Sequence, residues 1–384
     1  RDDVESRGLG DVYKRQVMRI LHYLYGLNIG GVETTLTNLL PFLDSNEFQI
    51  DFCIQNSDIT NMRLREMIDK RGGKIFVLPP FFKHPLEHKR QLGELLNGRY
   101  DCIHIHVNAL LNTIPIFEAH SRNINIILHS RNTQNNVGGI IGKCLHYYNR
   151  YKIRNIPYKR LACGPEAGIW MHGNKAFEVI DNGVDSKTFV FPQKALEELK
   201  TKLGVKAKII GHVGRFVEAK NHVFILELFS RYFKLHSDVS LVLVGDGPLQ
   251  EKMKEYASKL GISEQVRFLG SRSDVKCLLG VFDSFLFPSK FEGLPNAIVE
   301  AQAAGLRIVT STVVTQAVDV TGNVRFLDLN APLEDWIKAI DWSLQDYDRE
   351  KARRKIENTK FDISLSADKL KAIYRQLKKG NRVC

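Results

Sequence analysis

The sequence has no apolar run of the roughly 18 to 20 residues that a membrane-spanning helix requires, although 43% of its 384 residues are hydrophobic. Cysteine is scarce, and its six residues form no CxxC pair and no zinc-ligand spacing. Scattered thiols of this kind are typical of a reducing compartment rather than of a disulfide framework. The first residues also lack the charged, apolar and small-residue order of a signal peptide. We therefore expect a cytoplasmic globular protein.

Acidic residues are in deficit, with 43 Asp and Glu against 55 Lys and Arg, so the formal net charge is +12. A basic excess predicts an anionic partner, which can be a nucleic acid, an acidic lipid or a phosphorylated ligand. No recognisable nucleic-acid-binding module occurs in the sequence, so we do not expect nucleic acid as the partner. Composition alone does not choose between the other two.

Short apolar runs alternate with longer helical patterns from Met18 onward, which predicts parallel β-sheets covered by helices. The first series of strand candidates occupies residues 19–27, 48–55, 74–79, 102–107, 123–130 and 160–164. The second series occupies residues 208–215, 240–247, 266–270, 284–289 and 307–311. The repeated alternation predicts two units of the same architecture.

A break near residues 186–207 separates the two series. We therefore predict an α/β protein of two Rossmann-like domains facing each other across a cleft, with an N-terminal domain at 18–190 and a C-terminal domain at 191–365. In such sheets ligands bind at the carboxyl ends of the strands. Residues 1–17 are polar and show no useful periodicity, and we expect them to be an extension outside the native fold.

The stretch NIGGVETTL, residues 28–36, connects the first predicted strand to the first predicted helix. Gly30 and Gly31 allow a tight turn and a close approach of the backbone to a ligand. The free N–H groups of the following helix favour phosphate. An ordinary strand–helix turn has the same sequence features, so both interpretations stay open on these residues alone.

Two cations occupy the predicted loop in HVGRFVEAKN, residues 212–221. Arg215 offers a planar fork of donors and Lys220 a mobile point charge, and together they can bracket a diphosphate. A solvated basic loop is the alternative. VLVGDGPL, residues 242–249, repeats the strand–glycine–helix arrangement, with glycines that suit either a nucleotide pocket or a tight turn.

Two carboxylates lie eight positions apart in SKFEGLPNAIVEAQAAGL, residues 289–306. Glu292 lies in a predicted loop, and Glu300 lies about one turn inside a helix predicted from Asn296 to Ala304. Carboxylates accept pairs of hydroxyl hydrogen bonds, which makes sugar and ribose candidate ligands. The alternative is a helix whose N-terminal acid is stabilised by the helix dipole. One acid fits that alternative, whereas two acids flanking EGLPN after a buried strand fit it poorly.

Histidines occur at the ends of two predicted strands. CIHIHV places His104 and His106 on one face of a strand, and such a pair can bind zinc, but no third or fourth ligand is evident. His129, in ILHSRN, can hydrogen-bond a sugar at a strand end or serve a structural role. The sequence therefore predicts no metal site.

Seven stretches together resemble the retaining GT-B glycosyltransferases of family 4 type, in the bacterial capsule and exopolysaccharide branch: GGVET, HSRN, VIDNGVD, GRFVEAKN, VGDGPL, VRFLG and FEGLPNAIVEAQAAG. The resemblance covers about 18–380, and FEGLPNAIVE matches that family's E-x7-E motif. It implies two Rossmann-like domains, with residues 366–384 crossing back onto the first. It also implies metal-independent transfer of a hexose or N-acetylhexosamine from a nucleotide sugar, expected to be UDP-linked, to a glycan or lipid-linked acceptor in surface polysaccharide synthesis.

The resemblance also implies roles for single residues. Arg215 and Lys220 would bind the donor diphosphate, Glu300 the ribose, and Glu292 the hydroxyls of the donor sugar. The remaining donor contacts would come from Gly293, Leu294, Pro295 and Asn296, and from Gly30 and Gly31 of the other domain. His129 matches the family's cleft histidine, so that His129 and Glu292 are the catalytic candidates.

One departure concerns the acceptor: Arg131 stands where related sequences often carry His. Two rival functions remain open, a GT-B-shaped sugar-nucleotide epimerase and a non-enzymatic binding protein for sugar nucleotides or glycans. Interconversion of the donor would indicate the first, while intact Arg215, Lys220, Glu292 and Glu300 argue against the second.

The segment GKCLHYYNRYKIRNIPYKR, residues 142–160, interleaves six cations with tyrosines and aliphatic residues and contains no acid. Such a segment can lie on an anionic bilayer. The alternative is a solvated helix whose tyrosines pack on the domain. We expect the protein to bind peripherally to the inner face of the cell membrane through this segment.

Overall fold

The computed structural model describes residues 17–28, 30–132, 139–205, 208–292 and 294–378. Its N-terminal unit alternates strands and helices in chain order. The strands are β1 (Met18–Tyr23), β2 (Phe48–Ile54), β3 (Ile75–Val77), β4 (Cys102–Val107), β5 (Asn125–Ser130), β6 (Lys159–Ala162) and β7 (Glu178–Val179). The helices are α1 (Gly31–Leu39), α2 (Met62–Lys70), α3 (Pro85–Leu96), α4 (Ile114–Ser121), α5 (Gly139–Lys152) and α6 (Pro165–His172).

The C-terminal unit follows the same alternation. Its strands are β8 (Lys208–Val213), β9 (Val239–Val244), β10 (Val266–Phe268), β11 (Ser284–Phe287), β12 (Ile308–Ser311) and β13 (Val324–Leu327). Its helices are α7 (Gln193–Lys202), α8 (His222–Leu235), α9 (Gln250–Lys259), α10 (Val275–Val281), α11 (Asn296–Ala303), α12 (Leu333–Leu344), α13 (Arg349–Arg354) and α14 (Ile363–Lys378).

Each unit is built on one parallel sheet. The strand orders are β3-β2-β1-β4-β5-β6-β7 and β10-β9-β8-β11-β12-β13, with every paired strand parallel to its neighbour in the described residues. Strands such as MRILHY and SFLF are almost wholly buried because helices cover both faces of a parallel sheet. The prediction of two Rossmann-like domains is thereby confirmed.

Helix α14 returns from the second unit to the first. Its apolar face, which includes Leu370, Ile373 and Tyr374, joins a core cluster with Ile20 and Phe48 of the N-terminal sheet. Arg375 adds an ion pair with Glu47, at 2.6 Å between Nε and Oε1. A helix with residues buried three and four positions apart presents one apolar stripe, and this stripe faces the first domain.

The structure also shows elements that the apolar runs did not predict. β7 has two residues and β13 has no fully buried residue, so neither gives a clear hydrophobic signal. Helix α7 lies inside the predicted break and buries no residue fully, which makes its sequence resemble a linker. The domain boundary between residues 190 and 191 stays a prediction.

Candidate active site

A cleft of about 2400 Å³ lies between the two units, where the carboxyl ends of both sheets meet. Loops after β1, β4 and β5 line it from one side, and loops after β8, β9 and β11 from the other. Parallel sheets place ligands at these strand ends because the connecting loops there are free to vary. Most of the site residues that the sequence predicts therefore line this cleft.

The loop after β8 is held in place by the loop after β9. Gly245 has φ +142°, and a Cβ at that position would lie 2.1 Å from the carbonyl oxygen of Gly214. The amide of Gly214 donates to Val244 O at 2.9 Å, and this hydrogen bond holds the two loops together. The glycine at position 245 is thus required by the close approach of the backbone beside Arg215, and Gly245 and Gly247 both line the cleft. Arg215 itself is exposed at the cleft surface.

Lys220 and Glu292 line the cleft as an ion pair. Lys220 ends a single turn of 3-10 helix after β8, and Glu292 follows β11, the neighbouring strand. Both side chains are less than one-fifth exposed, and the Lys220 ammonium also lies 4.6 Å from the ring centre of Phe287. Cation and carboxylate are thus held together within the cleft wall.

Glu300 lies one turn inside α11, partly buried in the wall of the same cleft. Burial raises the pKa of its carboxyl from 4.5 to about 7, and the nearby Lys276 ammonium opposes that shift. Lys276 donates to Thr188 Oγ1 at 2.8 Å and to Asn38 Oδ1 at 3.3 Å, so it connects the C-terminal unit to the N-terminal one. A carboxyl of this pKa changes its charge near neutral pH.

Asn296 begins α11 and contacts the opposite side of the cleft. Its amide group donates to Gly31 O at 3.3 Å and accepts from Asn182 Nδ2 at 3.1 Å. Gly31 begins α1, and a Cβ there would lie 3.3 Å from Asn296 Nδ2, so a small residue suits this crossing. The N-termini of α1 and α11 therefore face each other. Gly30, Leu294 and Pro295 line the cleft nearby, whereas Gly293 lies outside the described residues.

His129 is not among the residues that line the cleft. Its ring is 1% exposed, and its Nδ1 is 3.0 Å from Nε2 of His104. His106 and Arg131, from the ends of β4 and β5, line the cleft in its place. The predicted cleft position of His129 is therefore not observed, because its side chain points into the core between strands; its catalytic role stays a prediction.

The cleft residues to which sequence patterns assigned no role include Asn182, Lys276 and Arg131. Asn182 occurs in the motif VIDNGVD, to which no role was given. Lys276 lies in the first turn of α10, just after the polar stretch SRSD that follows β10, and a cation at the start of a helix after a strand was the available signal. Arg131 was noted only as a departure from related sequences.

Comparison with known proteins shows which family the chain belongs to. The sequence pattern of the glycosyl transferases group 1 matches residues 194–361. EpsF of Bacillus subtilis (strain 168), named as a glycosyltransferase, is 33% identical over 343 residues, which are 84% of this chain and 86% of EpsF. The chain belongs to the glycosyl transferases group 1 family. The UDP-Gal:α-D-GlcNAc-diphosphoundecaprenol α-1,3-galactosyltransferase of Escherichia coli is 31% identical over 208 residues, 51% of this chain and 53% of that enzyme.

The crystal structure of Anabaena HepE in complex with UDP-glucose has the same fold. It aligns with a TM-score of 0.75 over 94% of this chain and 100% of HepE, at 17% sequence identity. This group 1 glycosyltransferase therefore shares the GT-B arrangement of two Rossmann-like domains around a cleft.

The surface of this group 1 glycosyltransferase carries an apolar and basic patch on α5. Ile140, Ile141, Tyr147, Tyr148 and Tyr151 are each more than half exposed. The tyrosines of the segment pack on the domain only in part, since the ring centre of Tyr147 lies 5.9 Å from that of Trp170 of α6 and Tyr158 is buried. Within the described ranges no helix is both long and apolar enough to span a bilayer.

Proposed function

We propose that this protein is a retaining glycosyltransferase that moves a hexose or N-acetylhexosamine from a nucleotide sugar, UDP-linked, to a glycan or lipid-linked acceptor in surface polysaccharide synthesis. The observation that carries the proposal is the convergence of Arg215, the Lys220–Glu292 ion pair, Glu300 and the N-terminus of α11 in one interdomain cleft. This set offers cations and amides for a diphosphate and carboxylates for hydroxyls.

The cations supply the main catalytic effect in this proposal. As the bond between the anomeric carbon and the diphosphate breaks, negative charge grows on the leaving group. Arg215, Lys220 and the free amides of α11 stabilise that charge more in the transition state than in the ground state. The anomeric carbon becomes cation-like, and attack from the face of the leaving group retains its configuration.

The two glutamates act as ligands of the donor rather than as nucleophiles. Glu300, one turn into α11, accepts hydrogen bonds from the ribose, and Glu292 accepts them from the transferred sugar. Because Glu292 pairs with Lys220, a bound donor inserts phosphate beside Lys220 and sugar hydroxyls beside Glu292. The pair therefore keeps both groups positioned before the donor arrives. We propose that no metal ion or other cofactor takes part.

The acceptor proposal draws support from the related galactosyltransferase, whose name gives a diphosphoundecaprenol-linked sugar. An acceptor of that kind lies in a membrane, and the exposed face of α5 offers a contact with an anionic surface. Lys143, Lys152 and Arg154 are exposed beside the tyrosines of that face. We propose peripheral binding of α5 to the inner face of the cell membrane, and we propose no nucleic-acid partner.

Incubation with UDP-hexoses tests the proposal. With a lipid-diphosphate-linked sugar present, we expect acceptor-dependent release of UDP and a glycosidic product with the anomeric configuration of the donor, read by NMR. Interconversion of the donor without acceptor would establish an epimerase instead. Tight nucleotide-sugar binding without turnover across a panel of acceptors would establish a binding protein. Family membership supports neither of these two alternatives.

A further inference from the structure

Hydrogen bonds link four buried histidines in the core of the N-terminal domain to the cleft. The register of the parallel strands sets His22 beside His104, and His106 beside His129. Tyr374 of α14 places its hydroxyl between two of the rings, 2.7 Å from His104 Nδ1 and 3.2 Å from His22 Nε2. The order along this histidine chain is His129, His104, Tyr374, His22, His106 and Arg131.

The direction of every hydrogen bond in the histidine chain follows from Arg131. Its Nε can only donate, and it lies 3.1 Å from His106 Nδ1, which must therefore accept. The neutral ring of His106 then donates from Nε2 to His22 Nδ1 at 2.9 Å, and His22 donates from Nε2 to the Tyr374 hydroxyl. Tyr374 in turn donates to His104 Nδ1, and His104 Nε2 donates to His129.

All four histidines are consequently neutral Nε2–H tautomers. Burial, the largest cause for each ring, lowers the pKa of all four below the usual histidine value, which agrees with the neutral forms. One ring nitrogen from each of His22, His104 and His106 lies within 4.8 Å of the other two, a spacing that a metal ion can use. Each of the six ring nitrogens of these histidines already has a hydrogen-bond partner, however, so a metal ion there would have to displace bonds of the histidine chain.

The histidine chain holds a cation at the cleft without neutralising it. Arg131 is anchored at Nε by His106 and lies 3.4 Å from Asn182 Oδ1 through Nη1. Within residues 17–28, 30–132, 139–205, 208–292 and 294–378, no carboxylate forms an ion pair with it. Burial lowers the pKa of Arg131 to about 10, and the nearby Cys163, Tyr374 and Glu33 oppose this shift, in that order. A partly buried guanidinium without a carboxylate partner is stabilised when an anion completes the site.

We propose that Arg131 binds a phosphate group of a substrate on the N-terminal side of the cleft, and that Tyr374 and the histidine chain are positioning residues for its guanidinium. Asn182 connects Arg131 to Asn296 at the start of α11, so this phosphate would lie close to the crossing of α1 and α11. The inference rests on the proposed function for the identity of the substrates. The phosphate that Arg131 binds belongs either to the nucleotide donor or to a diphosphate-linked acceptor.

Binding measurements on R131Q and R131K separate these sources. The donor arm compares UDP with uridine, and the acceptor arm compares a short-chain prenyl diphosphate with the corresponding alcohol, all by calorimetry. We expect R131Q to weaken one diphosphate ligand at least tenfold, R131K to weaken it less, and the uncharged ligands to change less than twofold. R65Q removes the same charge from an exposed position of the same domain and serves as the matched control.

A change below twofold for both diphosphates, or an equal loss for charged and uncharged ligands, would overturn the assignment. Both arms measure binding and need no turnover. A protein that binds diphosphates through Arg131 but transfers no sugar would contradict the proposed function and leave this inference standing. Equal effects of R131Q and R65Q on the diphosphates would indicate general electrostatic attraction and would also overturn it.

The positioning role of Tyr374 is tested by Y374F, which keeps the ring that packs against Phe48 and removes the hydroxyl. We expect Y374F to weaken the same diphosphate severalfold and the double variant with R131Q to lose no more than R131Q alone. Ring ¹⁵N shifts should show four Nε2–H tautomers in the parent and mixed tautomers in Y374F. Fully additive losses, or unchanged tautomers, would remove Tyr374 and the histidines from the site.

Discussion

The ammonium of Lys220 and the carboxylate of Glu292, 72 positions apart in the sequence, form an ion pair in the cleft. Each of these two groups therefore has a partner in the free protein, and a bound donor must share that group with its partner. In the proposed complex, phosphate approaches Lys220 and sugar hydroxyls approach Glu292. The ion pair would thus contact both sides of the bond that is broken, the diphosphate through Lys220 and the transferred sugar through Glu292.

Replacing the two partners should have opposite effects on free UDP. K220A removes a diphosphate contact, and we expect a loss of transfer of roughly 100-fold together with weaker UDP binding. E292Q leaves Lys220 without a competing carboxylate, so UDP should bind as well as in the parent or more tightly, while transfer falls. Calorimetry with UDP and initial rates with the full donor measure the two effects. E292Q binding UDP as weakly as K220A does would contradict this division.

Nucleotide binding should depend on pH through Glu300. Its carboxyl has a pKa of about 7 in the folded protein against 4.5 in the ordinary reference state, so it is largely protonated at pH 6 and ionised at pH 8. The carboxylate accepts ribose hydrogen bonds better than the acid, and we expect UDP affinity to rise between pH 6 and 8. In E300Q the affinity should be roughly 10- to 100-fold lower and this pH dependence should disappear. An unchanged pH profile in folded E300Q would exclude Glu300 as its source.

The free energy of unfolding of the ligand-free protein should fall over the pH range in which UDP affinity rises. Because the pKa of Glu300 is raised in the folded protein, the contribution of Glu300 to the free energy of unfolding is fully present below pH 4.5. It is lost as the pH rises through 7. E300Q should therefore be the more stable protein at pH 8, by on the order of 2 kcal/mol in the free energy of unfolding. K276M removes the cation that holds this pKa down, so its binding profile should move to higher pH. Urea unfolding at pH 6 and 8 measures the first effect, and UDP titration the second.

The contact between Gly245 and Gly214 predicts a strong effect of a single methyl group. In G245A, Cβ would meet the carbonyl oxygen of Gly214 and displace the loop that carries Arg215, so we expect a loss of both stability and UDP affinity. G261A is the control, since Gly261 also has a positive φ, +71°, but no atom of the described part of the chain lies within 4 Å of the added Cβ. It should cost only about 1 kcal/mol of backbone strain. Equal effects of the two substitutions on UDP binding would show that the loop does not depend on this contact.

Membrane binding should depend on the exposed face of α5. We expect the protein to sediment with vesicles rich in anionic lipid, to be released by high salt, and to lose most binding when Lys143, Lys152 and Arg154 become Gln. These three are exposed, whereas Arg150 donates to Trp170 O and Lys159 pairs with Glu178, so replacing the latter would disturb the fold.

The control for this prediction lies on the other domain. Replacing Lys252, Lys254 and Lys259 of α9 by Gln removes the same number of charges from another exposed helix. That variant should bind vesicles as the parent does. If the α5 variant also sediments like the parent, α5 is not the membrane contact.

The sequence by itself determined the architecture and most of the proposed donor ligands. Buried parallel strands are apolar along their whole length and end in glycine-rich or charged loops, so RILHYLYGL and SFLFPS identify β1 and β11 locally. The same local pattern sets Arg215, Glu292 and the start of α11 at strand ends, where ligands bind. The signal was weak for β7, β13 and α7, which bury few side chains.

Only the tertiary structure decided how these residues combine. The pairing of Lys220 with Glu292, the contact of Asn296 with Gly31, and the passage of Tyr374 between His22 and His104 join residues 72 to 352 positions apart. No local pattern encodes such contacts, because they depend on sheet register, domain placement and the return of α14. For the same reason the sequence assigned the cleft to His129, whereas the fold directs that ring into the core and leaves Arg131 at the surface of the cleft.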